Sequence, residues 1–389
     1  MNRSWKVAAL GAALMAFPCL AKPATDPKPT ATEAAPAPST DGRPRVQIAI
    51  LLDTSSSMDG LIAQAKQQLW KIVNTFNTAK RDGKKPILQL ALYEYGKDSL
   101  PASGGYIRQI VPFTEDLDRV SEHLFALKTN GGDEYCGQVI QKATQQLAWS
   151  KNKEDMRFIF IAGNEDFNQG PVNYKTSIAA ASEHGIIVNT IHCGSEADGV
   201  RGGWKAGAQL AHGNYMFIDQ NKAVAEITAP QDQELARLGM ELNKTYVGYG
   251  RGATEAQKRQ ADQDSNAAAM APSAMSQRAV SKASSYYDNS HWDLVDGSKK
   301  GTVKVEALPA EQLPEELRKL DAPARKAFVE KKAKEREDIQ KRIAELNAER
   351  SKFIAAEAQK QSAASAEESV DGAMIKTIKQ QASKNAYTF

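Results

Sequence analysis

The first strong pattern along the chain is Val46–Leu52, where VQIAILL forms a continuous apolar run of strand length that stops at Asp53. A run without polar alternation predicts a strand buried on both faces, as in a parallel sheet. Apolar residues then recur at helical spacing from Leu61 to Phe76, and Ile87–Tyr95 predicts a second strand. A shorter strand is predicted at Tyr106–Val111, followed by helices around Leu117–Leu127 and Gly137–Trp149 and a strand at Arg157–Ile161. Helix Tyr174–His184, strand Ile186–His192, helix Trp204–Ala211 and strand Tyr215–Ile218 complete the series. Strands separated by helical segments mark βαβ units, whose crossovers are right-handed. The predicted fold class is α/β, a doubly wound, mostly parallel sheet flanked by helices, with a helical C-terminal extension. Ligands of such sheets bind beyond the carboxyl ends of the strands, where strand order reverses. Asp53, Asp133, the Gly163 turn and Cys193 all fall at those ends.

Beyond Ala229 the pattern weakens. Gln231–Asn243 reads as a helix, and a polar stretch rich in Ala, Gln and Ser runs to about Ser285. Ile339, Ile343, Leu346 and Phe353 follow a near-heptad spacing within Leu317–Phe353, which predicts a long amphipathic helix. That helix either packs on its own domain or offers a short coiled-coil or docking seam. Trp292, isolated after the polar stretch, either anchors this region onto the sheet domain or serves as an exposed aromatic contact. The expected organisation is a signal peptide at 1–21, a disordered Pro/Ala/Thr linker at 22–44 and the sheet domain at 45–229. A polar, partly helical or disordered extension follows at 230–310, then the long helix at 311–361 and a flexible tail at 362–389.

The N-terminus narrows the setting. Arg3 and Lys6 precede an apolar stretch from Val7 to Leu20 and a small residue at Ala21, the pattern of a cleaved secretory signal too short to span a bilayer. Phe17 and Pro18 before Cys19 argue against lipidation, so a soluble periplasmic or secreted product is expected. Removing Arg3 and Lys6 leaves 48 basic residues against 47 acidic ones. A chain so nearly neutral is expected to have neither a nucleic-acid nor a membrane partner, and no integral membrane segment remains after cleavage.

The chemistry begins at Asp53-Thr54-Ser55-Ser56-Ser57, directly after the first strand. One carboxylate and two hydroxyls at alternate positions gather oxygens around one point, the donor set that hard cations prefer. A competing reading is a helix N-cap without metal. Asp53, Ser55 and Ser57 resemble the DxSxS motif of the metal-ion-dependent adhesion site in von Willebrand factor A and integrin I domains, a resemblance covering about 185 of the 389 residues. The family draws further ligands from two other loops. Thr129-Asn130-Gly131-Gly132-Asp133-Glu134 occupies the second, where Asp133 directly follows the glycine pair and Thr129 is held in reserve. The third loop usually reads Thr-Asp-Gly, but this chain has Ala162-Gly163-Asn164, so Asn164 or Glu165 must supply the missing oxygen.

The resemblance implies a site for Mg²⁺, or for Mn²⁺ or Ca²⁺, that captures an acidic group of a protein partner. Two charged protein ligands would hold the metal more tightly but make it a weaker electrophile toward such a group. Cys136 and Cys193 remain after signal cleavage as a disulfide candidate, two buried thiols, or a soft-metal pair with His192. Gly131-Gly132-Asp133-Glu134-Tyr135 also resembles the diguanylate cyclase signature, but helical spacing follows where that motif needs a hairpin. No GxSxG elbow and no HExxH is present. The expectation is a non-enzymatic, metal-dependent adhesion or assembly module. The alternatives are an accessory factor to maturation or hydrolysis of exported proteins, and a metal-free scaffold.

Overall fold

Along the first strand Val46, Ile48 and Leu52 pack into one buried cluster while Ala49 and Leu51 pack into another. The strand is therefore covered on both sides, as its uninterrupted apolar run requires. A computed structural model of the protein describes residues 42–219, 227–361 and 370–389. The expected signal peptide and nearly all of the linker lie outside these residues.

Six strands form one sheet: β1 (Arg45–Asp53), β2 (Ile87–Tyr95), β3 (Ile107–Thr114), β4 (Met156–Gly163), β5 (Ile187–Cys193) and β6 (Tyr215–Ile218), in the order β3-β2-β1-β4-β5-β6. All neighbours pair in parallel except β3, which runs antiparallel to β2 at the edge. Strand order reverses between β1 and β4, so the switch point lies at Asp53 and Gly163. One face carries α1 (Asp59–Asn74) and α2 (Leu117–Phe125), and the other carries α3 (Cys136–Gln146), α4 (Tyr174–Glu183) and α6 (Trp204–Leu210). The short α5 (Glu196–Arg201) was not foreseen. Its six residues include two acids, an Arg and a Gly, too polar and too brief to show a period.

The C-terminal half is more ordered than its composition suggested. It forms α7 (Asp232–Asn243), α8 (Ala253–Met270), α9 (Pro272–Ala283), α10 (Leu294–Lys300), α11 (Glu315–Arg318), α12 (Ala322–Gln361) and α13 (Val370–Ser383). The polar stretch before Ser285 is helical because its polar side chains are used internally. Arg278 is fully buried and contacts Asp118 of α2, Asp264 of α8 at 2.9 Å and the Tyr287 hydroxyl at 3.2 Å. Lys282 reaches Asp264 at 2.7 Å, and the Arg278 guanidinium lies 4.4 Å from the Trp70 ring centroid. Such groups tolerate burial only when paired.

Ile343 and Leu346 of α12 are buried beside Leu235 and Leu242 of α7, so the chain itself fills much of the amphipathic seam. Trp292 packs within this helical region, 5.6 Å from Tyr246 between ring centroids, rather than against the sheet domain. Arg336 on α12 is buried with Asp293 and Asp296, and Arg350 meets Asp232 at 2.6 Å.

The expected flexible tail is described only from residue 370, and there it is a helix. Met374, Ile378, Ala382 and Tyr387 join the same buried cluster as Leu61 and Trp70 of α1. Gln381 hydrogen-bonds Asn189 of β5, and Thr388 forms an antiparallel bridge with Lys80. These apolar positions at helical spacing explain why the segment docks instead of remaining free.

Candidate functional site

Three loops meet where β1, β2 and β4 end. Thr54 fixes the first: its N–H donates to the Tyr95 carbonyl at 2.8 Å, and its own carbonyl accepts from the Asn130 N–H at 3.0 Å. The first loop is thereby tied to the end of β2 and to the second loop.

Asp53 is completely buried at the head of this arrangement. Its Oδ1 accepts from the Ser55 N–H at 2.7 Å, whereas its Oδ2 is buried without a hydrogen-bond partner. The Ser55 hydroxyl lies 3.2 Å from the Ser57 hydroxyl, and Ser57 Oγ accepts from Asn164 Nδ2 at 3.2 Å. Asp53, Ser55, Ser57 and Asn164 are thus brought together as the sequence suggested.

The second loop differs from the expectation. Asp133 is exposed and accepts from the Tyr135 hydroxyl at 3.1 Å, while Thr129 donates its hydroxyl to Asp59 at the start of α1. The neighbouring Glu134 turns inward and is only 7% exposed. A Cβ built on Gly96 would lie 2.8 Å from Asp53 Oδ1 and 2.9 Å from Glu134 Cγ, so the two acidic side chains converge on one point. Gly96, at φ +79°, lets the chain pass this close. Spacing alone could not separate two adjacent acids. Which one faces inward is set by where α3 starts, at Cys136.

The third loop explains the missing acid. A Cβ at Gly163 would sit 2.6 Å from the Tyr95 hydroxyl and 3.0 Å from Asp53 Oδ2. The Tyr95 hydroxyl holds that space by donating to the Ala162 carbonyl at 2.9 Å. Loop three therefore has no room for a side chain at this position, and the buried acid beside Asp53 comes from loop two, as Glu134. Glu165 is exposed but close enough to raise the carboxyl pKa of both Asp53 and Glu134.

Burial, reinforced by Glu134 and Glu165 and partly offset by hydrogen bonds from Ser55, pushes Asp53 up from 3.8 to about 7. Glu134 rises to about 7 through burial and then the charge of Glu165. A buried carboxyl oxygen with no donor, beside a second buried acid and two hydroxyls, fits a hard divalent cation. Among the described residues no group of three or more His, Cys, Asp and Glu side chains is suited to hold a metal, so serine hydroxyls would be indispensable.

Cys136 and Cys193 are both free and buried, which corrects the disulfide candidate. The Cys136 thiol faces the Tyr95 hydroxyl at 3.7 Å, and burial pushes both thiol pKa values up, which makes them inert packing groups.

A family model described as the von Willebrand factor type A domain matches residues 47–206. This part of the chain is a von Willebrand factor A domain. Such domains are generally protein-interaction modules. No curated protein matches the chain. Solved structures with likeness include the conserved hypothetical protein BatB from Bacteroides thetaiotaomicron, at 16% identity, covering 45% of this chain and 90% of that one, with a TM-score of 0.34. Proximal thread matrix protein 1 from the mussel byssus, in one crystal form, shares 12% identity over 45% of this chain and 41% of its own, with a TM-score of 0.34. The pilus adhesin SpaC from Lactobacillus rhamnosus GG shares 10% identity over 45% of this chain and 28% of its own, with a TM-score of 0.33. No described helix is long and apolar enough to cross a membrane.

Proposed function

We propose that this protein is a non-enzymatic binding module, exported to the periplasm or secreted, whose von Willebrand factor A domain uses a divalent cation to engage a protein partner. The observation that carries this reading is the Asp53 carboxyl, fully buried, with Oδ2 lacking any donor and with Oδ1 on the side that Glu134 and Ser55 approach. Mg²⁺, Mn²⁺ or Ca²⁺ would supply the positive charge that the protein does not. Asp53 and Glu134 would be its anionic ligands, with Ser55 and Ser57 as hydroxyl ligands. Asn164 orients Ser57, Glu165 adds negative charge from outside, and Asp133 and Thr129 are spent on Tyr135 and Asp59.

Export rests on the basic and apolar N-terminal pattern of residues 1–21. The non-enzymatic part of this reading rests on the site's composition: among the described residues no histidine hydrogen-bonds Ser55 or Ser57, and His192 is tucked against Trp204, 5.7 Å between ring centroids.

Calorimetric titration of the protein with each cation, compared with Asp53→Ala, tests the proposal. Saturable heat and a rise in melting temperature that disappear in the variant are expected. Silence with all three ions in the unmodified protein would leave the metal-free scaffold as the better account.

A further inference from the structure

The strand β6 closes the strand order on one side, and among the described residues no strand pairs with its outer edge. On its inner side the carbonyls of Asn214 and Ile218 accept from the N–H groups of Thr190 and Gly194. Hydrogen-bonding direction alternates along a strand, so Tyr215 and Phe217 turn their N–H and C=O groups to the open edge. The opposite edge is guarded against pairing. There β3 carries Pro112, which has no N–H, the exposed Arg108, and register shifts against β2. By contrast β6 reads Tyr-Met-Phe-Ile, without a proline, a charge or a bulge, and Phe217 is 42% exposed.

A cleft of about 380 Å³ opens at this unguarded edge. Lys205 and Gln209 of α6 line one side, and Lys376, Thr377 and Gln380 of α13 line the other. Asn214 holds α13 in place by donating to Thr377 Oγ1 and Gln380 Oε1, both at 3.3 Å. We infer that β6 accepts an extended segment of a partner protein as a seventh strand, with apolar β-branched residues alternating with acidic ones. Open backbone groups supply the pairing, as in other cases of strand addition. On the α6 face the Tyr215 and Phe217 rings lie 6.3 Å apart between centroids, and an apolar residue beside Phe217 forms a favourable cross-strand pair. On the α13 face Met216 and Ile218 are already buried, and the cleft wall there is polar. Its charged side chains are Lys205 and Lys376 against Glu196, which matches acidic residues in the incoming segment. A second copy of this chain is a poor occupant. Four residues span only about 13 Å, whereas a stable interface buries about 800 Å² on each partner. The strands β4 and β5 separate this edge from Asp53 on β1, so the docking needs no cation.

A short probe of alternating Glu and Val with blocked ends tests the inference on the full-length protein. Amide exchange read residue by residue by NMR should be fast at Tyr215 and Phe217 in the free protein and slow at Met216 and Ile218. The probe should slow the first pair. Fluorescence anisotropy of the labelled probe should saturate equally in Mg²⁺ and in EDTA. The same probe N-methylated along its central residues, and a probe alternating Lys and Val, should each bind at least about tenfold more weakly, a difference of about 1.4 kcal/mol. Phe217→Pro removes an N–H that the sheet does not use and should abolish binding, and the N-methylated probe makes the same test without altering the protein. Lys205→Glu should weaken binding severalfold, while Met240→Ser on α7 leaves it unchanged. No saturable binding, equal binding of the N-methylated probe, protection of amides elsewhere in place of Tyr215 and Phe217, or loss of binding in EDTA overturns the inference.

Discussion

Arg278 and Asp118 stand 160 positions apart in the chain and form a buried ion pair, joining α9 of the helical region to α2 of the sheet domain. The same guanidinium also holds Asp264 and stacks near Trp70, so one side chain ties its own helix to three others, α1, α2 and α8. Arg278→Ala leaves Asp118 and Asp264 buried with less compensation, and a loss of about 3–5 kcal/mol is expected. Urea unfolding monitored by circular dichroism measures it. A change below about 1 kcal/mol would mean that the pair does not hold the two regions together.

The acids of the second loop make a sharp contrast. Glu134→Gln should weaken Mg²⁺ binding by about tenfold or more, as expected for loss of a ligand. Asp133→Asn, which changes an exposed side chain turned toward Tyr135, should alter it by about twofold at most by screened surface electrostatics. Reversal of this order in parallel titrations would restore Asp133 as the ligand.

The acidity of the site gives a pH signature. Asp53 and Glu134 titrate near 7 when folded but near 3.8 and 4.5 in their ordinary state. Between those limits the folded protein retains protons that the unfolded chain has released, so their contribution to stability falls as pH rises toward about 7 and then levels off. The melting temperature of the metal-free protein should fall across this window more steeply than that of an Asp53→Asn, Glu134→Gln double variant. Mg²⁺ should raise it at about pH 8 and much less at about pH 5, because the ligands must lose their protons to bind. Parallel slopes for the two proteins would refute the assignment.

Gly163 offers a packing test. Gly163→Ala places a methyl group against the Tyr95 hydroxyl and should cost about 1–3 kcal/mol, as overpacking does. Tyr95→Phe removes that oxygen, so the double variant should recover part of the loss in a denaturant melt. Equal losses with and without Tyr95→Phe would show that the tyrosine is not what excludes a side chain there.

The docking of α13 can be measured one residue at a time. Ile378 is fully buried in the cluster that includes α1, and Ile378→Ala should cost about 2–5 kcal/mol. A near-neutral effect in thermal and urea unfolding would mean that the helix is an accessory to the sheet domain.

The sheet was legible because its strands are short apolar runs and its helices carry clear periodicity. Ile87–Tyr95 and Tyr215–Ile218 agree with the strands residue for residue. Asp53, Ser55 and Ser57 were legible because their spacing is local. Glu134 was not, since its inward turn depends on where the next helix begins. Helices α8 and α9 escaped notice because buried Arg278, Lys282 and Gln263 look like surface residues until their partners are known. The helix at 370–383 was missed for a related reason: its apolar residues are few, and the surface that receives them lies far away in sequence.

That distance has a bearing on synthesis. The last strand of the sheet ends at Ile218, and α13, which covers the α1 side, begins at Val370. At ribosomal rates of about 5–20 residues per second the intervening chain takes roughly 8–30 s to appear. Throughout that interval the apolar side of α1 lacks its last cover, and a nascent chain interrupted before residue 370 would leave the apolar space lined by Leu61, Ala65, Leu69 and Ile72 without Met374.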